Sequence, residues 1–114
     1  MERRIYRRIG LTYRDRISVA FSGDAKGTGT LYDLSLGGCK VGCTTTPPLG
    51  ASLMLQFDVP GQDEPVRVDV GIVGWAIKGK YFGVKFVRVE AMEHLVLSQY
   101  SARLARYSTA SQTV

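Results

Sequence analysis

The sequence predicts an all-β-dominated fold, namely a six-stranded antiparallel β-barrel with one C-terminal α-helix. Six short segments between residues 17 and 87 are rich in apolar, β-branched and aromatic side chains, and turn-forming residues separate them. From residue 90 the apolar side chains recur about every four residues, which is the spacing of a helix. A closed barrel is favoured over an open sheet because unpaired strand edges promote association.

Turn-forming residues delimit the first three predicted strands. Apolar and small side chains alternate over residues 17–21, and a Ser-Gly-Asp turn follows at residues 22–24. The second strand covers residues 28–34, where β-branched and aromatic side chains suit a pleated sheet. The third covers residues 39–44 and ends before a Pro-Pro pair, because proline cannot donate to a sheet ladder.

Alternation also predicts the last three strands. Residues 53–57 alternate and stop before Pro60-Gly61. The longest strand covers residues 66–77, and its even-numbered apolar residues from 66 to 72 are expected to share one face of the sheet. A Lys-Gly-Lys turn then leads to residues 81–87, which are expected to pair back as a hairpin.

One helix of about 17 residues is predicted from Glu90 to Tyr107. Its first turn carries Glu90 and Glu93 and its last turn carries Arg103 and Arg106, an order of charge that complements the helix dipole. The apolar stripe expected to face the barrel comprises Met92, Val96, Tyr100 and Leu104, flanked by Leu95 and Leu97.

The length and composition favour one domain. At 114 residues, the chain is long enough to bury roughly two-thirds of its unfolded surface. We expect an arginine-rich arm at residues 1–10, the barrel and helix at residues 11–107, and a disordered tail at residues 108–114. No apolar run approaches the roughly 20 residues that span a bilayer, and the first residues are charged rather than apolar. These features predict a cytoplasmic protein without membrane insertion.

Positive charge is concentrated at the start of the chain. The net charge is +5, and residues 1–16 contribute +4 of it through six arginines and two acidic residues. Guanidinium groups make two-point contacts with phosphate oxygens and with the Hoogsteen edge of guanine. Charge alone leaves open whether this segment recognises a specific anion or is a disordered basic arm with weak affinity for nucleic acid.

Candidate residues for metal binding or catalysis are few. Cys39 and Cys43 lack the C-x-x-C spacing of a redox or zinc site, so both thiols are expected to be buried as small hydrophobes. His94 is the only histidine and is expected on the helix surface. Ser35 lacks a G-x-S-x-G elbow, and no two carboxylates are spaced for acid–base catalysis. The sequence therefore predicts no enzyme, no metal and no cofactor.

Two short motifs carry the strongest functional signal. The first is R-x-x-x-R, from Arg4 to Arg8, and the second is D-x-S-x-x-G, from Asp33 to Gly38. In extended backbone, Asp33 and Ser35 project to the same face, where a carboxylate can accept the hydrogen bonds that guanine donates. The two glycines that end the motif permit positive φ or a close backbone approach to a ligand. The alternative for the second motif is an ordinary turn, since Asp and Ser often bond their own backbone.

In this order, the two motifs resemble the PilZ domain, a bacterial receptor module for the second messenger cyclic di-GMP. The similarity extends over nearly the whole chain. It includes Glu2-Arg3-Arg4, Arg8, Ile9-Gly10-Leu11, Asp33-Leu34-Ser35-Leu36-Gly37-Gly38, Val73-Gly74-Trp75 and Gly83-Val84-Lys85-Phe86. Arg7 stands where many members of the family carry another residue, commonly proline.

The resemblance implies a six-stranded antiparallel barrel that binds cyclic di-GMP, often as an intercalated dimer of the nucleotide. It also implies that the arginine motif supplies the cationic half of the site. Arg4 and Arg8 would grip the phosphates and the guanine Hoogsteen edges, with Arg3 as an auxiliary contact.

The same resemblance assigns the other half of the site to the barrel. Asp33 and Ser35 would read polar atoms of guanine, and Gly38 would let the backbone come close to the ligand. Trp75 is assigned either a stacking face at the rim of the pocket or a role in packing the barrel.

We interpret the chain as a stand-alone cyclic di-GMP receptor whose arm orders on binding and creates a surface for a protein partner. One alternative is a small barrel that binds single-stranded nucleic acid through its arm. Such modules expose aromatic stacking platforms, whereas Phe21, Phe57 and Phe86 are expected to point inward. Another alternative is a PilZ-like adaptor that has lost ligand binding, which the intact motifs disfavour. The downstream process stays open among motility, exopolysaccharide synthesis and virulence.

Overall fold

The computed structural model describes the backbone of residues 9–10 and 17–112 and the side chains of residues 17–103. This part of the chain forms seven strands and one helix. They are β1 (Ile9–Gly10), β2 (Ser18–Gly23), β3 (Gly27–Leu34), β4 (Gly38–Gly42), β5 (Ser52–Phe57), β6 (Val66–Ile77), β7 (Tyr81–Arg88) and α1 (Ala91–Gln112). The six predicted strands correspond to β2–β7, and each observed boundary lies within two residues of the prediction.

Strands β2–β7 close into an antiparallel barrel. Their order around the barrel is β3-β2-β5-β6-β7-β4, and β4 pairs again with β3. Because the last strand returns to the first, the six strands form a closed ring. The predicted six-stranded antiparallel barrel with a C-terminal helix is therefore confirmed.

The short strand β1 is not among the predicted elements. It pairs with the end of β3, with Ile9 opposite Leu34 and Gly10 opposite Asp33. Two residues are too few to show an alternating pattern, so the sequence carries no periodic signal for this strand. The pairing joins the start of the chain to the barrel beside Asp33.

Aromatic side chains form part of a barrel core that is otherwise mostly aliphatic. Phe21 and Phe82 pack edge to face with ring centroids 5.3 Å apart, and the rings of Phe57 and Phe86 are 6.1 Å apart. Phe21, Phe57 and Phe82 are buried, and Phe86 packs half-buried against them. Each buried ring contributes about 1.5–3 kcal/mol to the stability of the fold. The inward orientation that we expected for the three predicted phenylalanines is confirmed.

The alternation predicted for β6 is wrong in its middle. Val66 and Val68 face the core as expected, but Val70 and Ile72 do not, and Gly71 and Val73 take the inward positions. The pairing of β5 with β6 shifts register between Leu53 and Leu55 because β6 contains one extra residue there. A β-bulge of this kind moves all following side chains to the opposite face.

A second register shift occurs further along β6. In the pairing of β6 with β7, Val73 lies opposite Val84 but Trp75 lies opposite Gly83, so Gly74 is the extra residue. The shift places Trp75 on the outer face of the barrel, where its side chain is 38% exposed.

Helix α1 packs on the barrel through part of the predicted apolar stripe. Leu97 and Tyr100 are buried in the core and Val96 is half-buried against it. Met92 and Leu95 are 68% and 50% exposed, so the prediction that Met92 belongs to the buried stripe is wrong. The buried residues still recur every three to four positions, but barrel packing decides which part of the wide apolar surface is covered.

The ends of α1 also differ from the prediction. Glu90 precedes the helix, and its carbonyl accepts a hydrogen bond from His94 N at 2.8 Å. At the other end, α1 continues to Gln112, through most of the predicted tail. Arg103 and Arg106 therefore do not lie in the last turn, and the predicted charge pairing with the C-terminal end of the helix is wrong.

The two cysteines and the histidine occupy ordinary structural positions. Cys39 is fully buried and Cys43 is half-buried, and both are free thiols. The Cys43 thiol donates to the carbonyl oxygens of Thr28 and Thr45, each at 3.3 Å. His94 is half-buried on α1 rather than fully at the surface.

Candidate ligand-binding site

The two predicted halves of the site differ in what the structure describes. Arg3, Arg4 and Arg8 lie outside the described residues. The segment from Asp33 to Gly38 is described in full and connects β3 to β4. Within the described residues, the geometry of the site is therefore that of its barrel half.

Ser35 holds the connection between β3 and β4. Its side chain is 1% exposed, and its Oγ accepts hydrogen bonds from Gly37 N at 3.2 Å and from Gly38 N at 3.1 Å. The hydroxyl also donates to the Gly38 carbonyl at 3.3 Å, and Ser35 N donates to the same oxygen at 2.9 Å. The hydroxyl is thus engaged inside the turn, as in other serine turns that bond their own backbone.

Gly38 allows the turn to pack against β7. A Cβ atom on Gly38 would collide with the carbonyl oxygen of Val84. On the same side, Phe86 N donates to the Gly37 carbonyl at 2.9 Å. Neither Gly37 nor Gly38 has positive φ. The close approach that Gly38 allows in this structure is to β7. The predicted approach of a ligand to Gly38 stays a prediction.

Asp33 faces outward near the end of β3. Its neighbour Leu34 is fully buried, whereas Asp33 is half-buried, as alternation requires. A register shift between Leu31 and Asp33 makes Tyr32 an extra residue, so Tyr32 and Asp33 both lie outside the core. Asp33 is flanked by Gly10 of β1 on one side and by Lys40 of β4 on the other.

Asp33 and Trp75 lie in one row across four strands. Asp33 is opposite Lys40, Lys40 is opposite Gly83, and Gly83 is opposite Trp75. Phe82 and Val84 on either side of Gly83 are buried, so position 83 faces outward. The indole of Trp75 covers this position, because a Cβ atom on Gly83 would collide with the ring. The structure thereby brings together two predicted site residues that are 42 positions apart in the sequence.

Lys40 is a member of this row that the sequence analysis did not identify. Its Nζ lies 4.9 Å from the ring centroid of Tyr81 and 5.9 Å from that of Tyr32. The two rings pack edge to face with centroids 5.2 Å apart. The sequence of β4 could have predicted that Lys40 faces outward, since its neighbours Cys39 and Val41 are apolar and side chains alternate along a strand. Its aromatic neighbours come from other strands.

A family model described as the PilZ domain matches residues 2–103. This chain belongs to the PilZ domain family. The match includes both the arginine motif and the whole described barrel. A search of curated proteins by sequence found no match.

Solved structures with the same fold support the PilZ architecture. The Bacillus subtilis inhibitor of motility, MotI/DgrA, aligns with a TM-score of 0.74 at 18% identity, over 98% of this chain and 54% of that one. The PilZ domain of Escherichia coli YcgR with c-di-GMP aligns with a TM-score of 0.71 at 20% identity, over 99% and 100% of the two chains. A structure of E. coli YcgR in complex with c-di-GMP gives 0.69 at 21%, over 96% and 49%. The chain thus spans about half the length of MotI.

One concavity described on this PilZ domain is separate from the predicted site residues. It is an open groove of about 1090 Å³ lined by hydroxyl-bearing residues of β2 and β3, including Ser18, Thr28 and Thr30. Tyr32 and Tyr81 also line it, but Asp33, Ser35, Gly38 and Trp75 do not.

In the described part of the chain, no helix is both long and apolar enough to cross a membrane. No three His, Cys, Asp or Glu side chains within the same residues cluster in a way that could hold a metal ion.

Proposed function

We propose that this PilZ domain is a receptor for cyclic di-GMP that changes conformation on binding and signals to a protein partner. The pairing of β1 with β3 beside Asp33 is the observation that carries the proposal. Arg8 immediately precedes β1 in the sequence. The arginine motif is therefore linked by one peptide bond to β1, and β1 carries the residue opposite this carboxylate. The connection supports one site shared by the two motifs.

The arginine motif supplies the cationic part of the proposed site. Arg4 and Arg8 contact the phosphates and the guanine Hoogsteen edges, and Arg3 adds an auxiliary contact. A guanidinium group has five N–H donors in a planar fork, which matches two acceptors at once. A cyclic dinucleotide presents such pairs of acceptors on its phosphates and on each guanine.

The barrel supplies the part of the proposed site that selects the base. Asp33 accepts hydrogen bonds from guanine N1–H and the exocyclic amine, and Trp75 offers an exposed ring face at the other end of the row. Ser35 keeps the turn in shape, since its hydroxyl is engaged with Gly37 and Gly38. Direct contact of Ser35 with the base, which the sequence predicted, requires its hydroxyl to leave these partners.

Two structures with the same fold, the YcgR PilZ domain and YcgR itself, are complexes with c-di-GMP. The shared fold supports the same class of ligand for this chain. The inward orientation of Phe21 and Phe57 disfavours the single-stranded nucleic-acid module, because such modules expose their aromatic residues. We further propose that the domain acts in the cytoplasm, without catalysis or cofactor, in motility or exopolysaccharide synthesis.

Calorimetric titration of the purified chain tests this function. Cyclic di-GMP should bind far more tightly than GMP, GTP, cyclic di-AMP or a short oligonucleotide. Adenine lacks the N1–H and amine pair that Asp33 is proposed to read, so cyclic di-AMP is the informative control. Equal affinity for the two cyclic dinucleotides would contradict the role of Asp33, and binding of the oligonucleotide alone would favour the nucleic-acid module.

A further inference from the structure

Lys40 occupies the centre of the row between the proposed base-reading residue and the exposed tryptophan. Cys39 and Val41 are both fully buried, so the side chain of Lys40 leaves the barrel on the outer face. It lies directly opposite Asp33 on one side and Gly83 on the other. Side chains at such paired positions have Cβ atoms about 4.5–5.5 Å apart. Any ligand that contacts both Asp33 and Trp75 must therefore pass over Lys40.

The ammonium group of Lys40 is held in place by aromatic rings rather than by a carboxylate. Its Nζ lies within 6 Å of the ring centroids of Tyr81 and Tyr32, a distance at which a cation is attracted to the ring face. Within the described residues, Lys40 makes no ion pair, and the ion pair found there joins Arg67 to Asp69. No carboxylate among the described residues therefore pairs with this ammonium group. The two rings restrict its position, which lowers the entropy lost when an anion binds.

Two glycines near Lys40 make room for the rings of Tyr32 and Trp75. A Cβ atom on Gly42 would collide with the ring of Tyr32, and one on Gly83 would collide with the indole of Trp75. Gly42 lies two residues after Lys40 on β4, and Gly83 lies opposite it on β7. Lys40 thus lies on the outer face of the barrel, beside the rings of Tyr32 and Tyr81. A compact cation in such a place suits an anionic group flanked by aromatic bases.

We propose that Lys40 is a further ligand-binding residue, whose ammonium group binds a phosphodiester of the nucleotide from the barrel wall. This inference rests on the proposed function. A lysine ammonium is a point charge with three donors, and its strongest partners are anionic oxygens. Lys40 therefore adds to the cationic half of the site from β4, while the arginine motif reaches the ligand from the N-terminal segment.

The test compares cyclic di-GMP titrations of the full chain and of three variants at position 40. Lys40→Ala and Lys40→Gln should weaken binding by at least about tenfold, because a hydrogen bond to a charged group is lost. Lys40→Arg keeps the charge and should stay within about threefold of the wild type. Lys26→Ala, which removes a charge at the distant β2–β3 turn, should change the affinity by less than about twofold.

Salt dependence separates a ligand contact from a structural role. The affinity of the wild type should fall more steeply with added NaCl than that of Lys40→Gln, because the variant has lost one screened charge interaction. Thermal melts check that all variants are folded. If the wild type binds but Lys40→Gln binds equally well with the same salt dependence, this inference is overturned and the proposed function stands. If the wild type does not bind cyclic di-GMP, both are overturned.

Discussion

The indole of Trp75 lies over Gly83, in the volume that a side chain at position 83 would occupy. The two residues are directly opposite each other in the β6–β7 pairing. The contact follows from the bulge at Gly74, which turns Trp75 outward, and from the missing Cβ of Gly83. Because Trp75 is the only tryptophan, its fluorescence reports this contact.

Gly83→Ala should displace the indole and destabilise the domain by about 1–3 kcal/mol, as overpacking does. The measurements are urea denaturation and the emission maximum of Trp75, which should shift as the ring leaves the barrel wall. Gly74→Ala is the matched control, since no atom lies within 4 Å of a Cβ at that position. Equal stability of the two variants would show that the ring can move aside freely.

Ser35→Ala should destabilise the domain by about 1–3 kcal/mol, because one buried and one half-buried N–H group lose their acceptor. Those groups belong to Gly37 and Gly38. The control is Ser18→Ala at an exposed position, which should change the free energy of unfolding by less than about 0.5 kcal/mol. If Ser35→Ala loses affinity for cyclic di-GMP but no stability in chemical denaturation, its hydroxyl reads the ligand directly.

Arg8→Ala should weaken binding of cyclic di-GMP by at least about tenfold, since it removes hydrogen bonds between charged groups. Titration calorimetry measures the affinity, and a thermal melt should show little change in stability. Lys26→Ala serves as the control for loss of one positive charge. A large drop in melting temperature for Arg8→Ala would instead assign a structural role to this arginine.

Cyclic di-GMP should slow amide hydrogen exchange in residues 3–9 and 33–38, while α1 changes less. The physical reason is that a polyanionic nucleotide neutralises a segment of net charge +4 and supplies fixed hydrogen-bond acceptors to it. Exchange followed by mass spectrometry, with and without ligand, checks this. Full protection of residues 3–9 before ligand is added would place the conformational switch elsewhere, most simply in α1.

The six barrel strands and the helix could be predicted because their signals are local. Alternation and turn residues delimit β2–β7, and the change of period after Val89 marks α1. The arginine motif and the Asp33–Gly38 motif were also found as local patterns. Their chemistry, donors in one and acceptors in the other, follows from residue type alone.

The details that tertiary packing controls could not be predicted in the same way. The bulges in β6 are required by its pairing with β5 and β7, so the outward position of Val70 has no local signal. The full burial of Leu97 and the exposure of Met92 on α1 depend on the barrel surface beneath the helix.

The sequence by itself determined the fold class, the family and the chemical character of the two motifs. Only the tertiary structure decided that Asp33, Lys40 and Trp75 share one row, because the row depends on the pairing of β4 with β7, which are far apart in the chain. Contacts between strands far apart in the chain depend on register, and register is a property of paired strands rather than of either sequence alone.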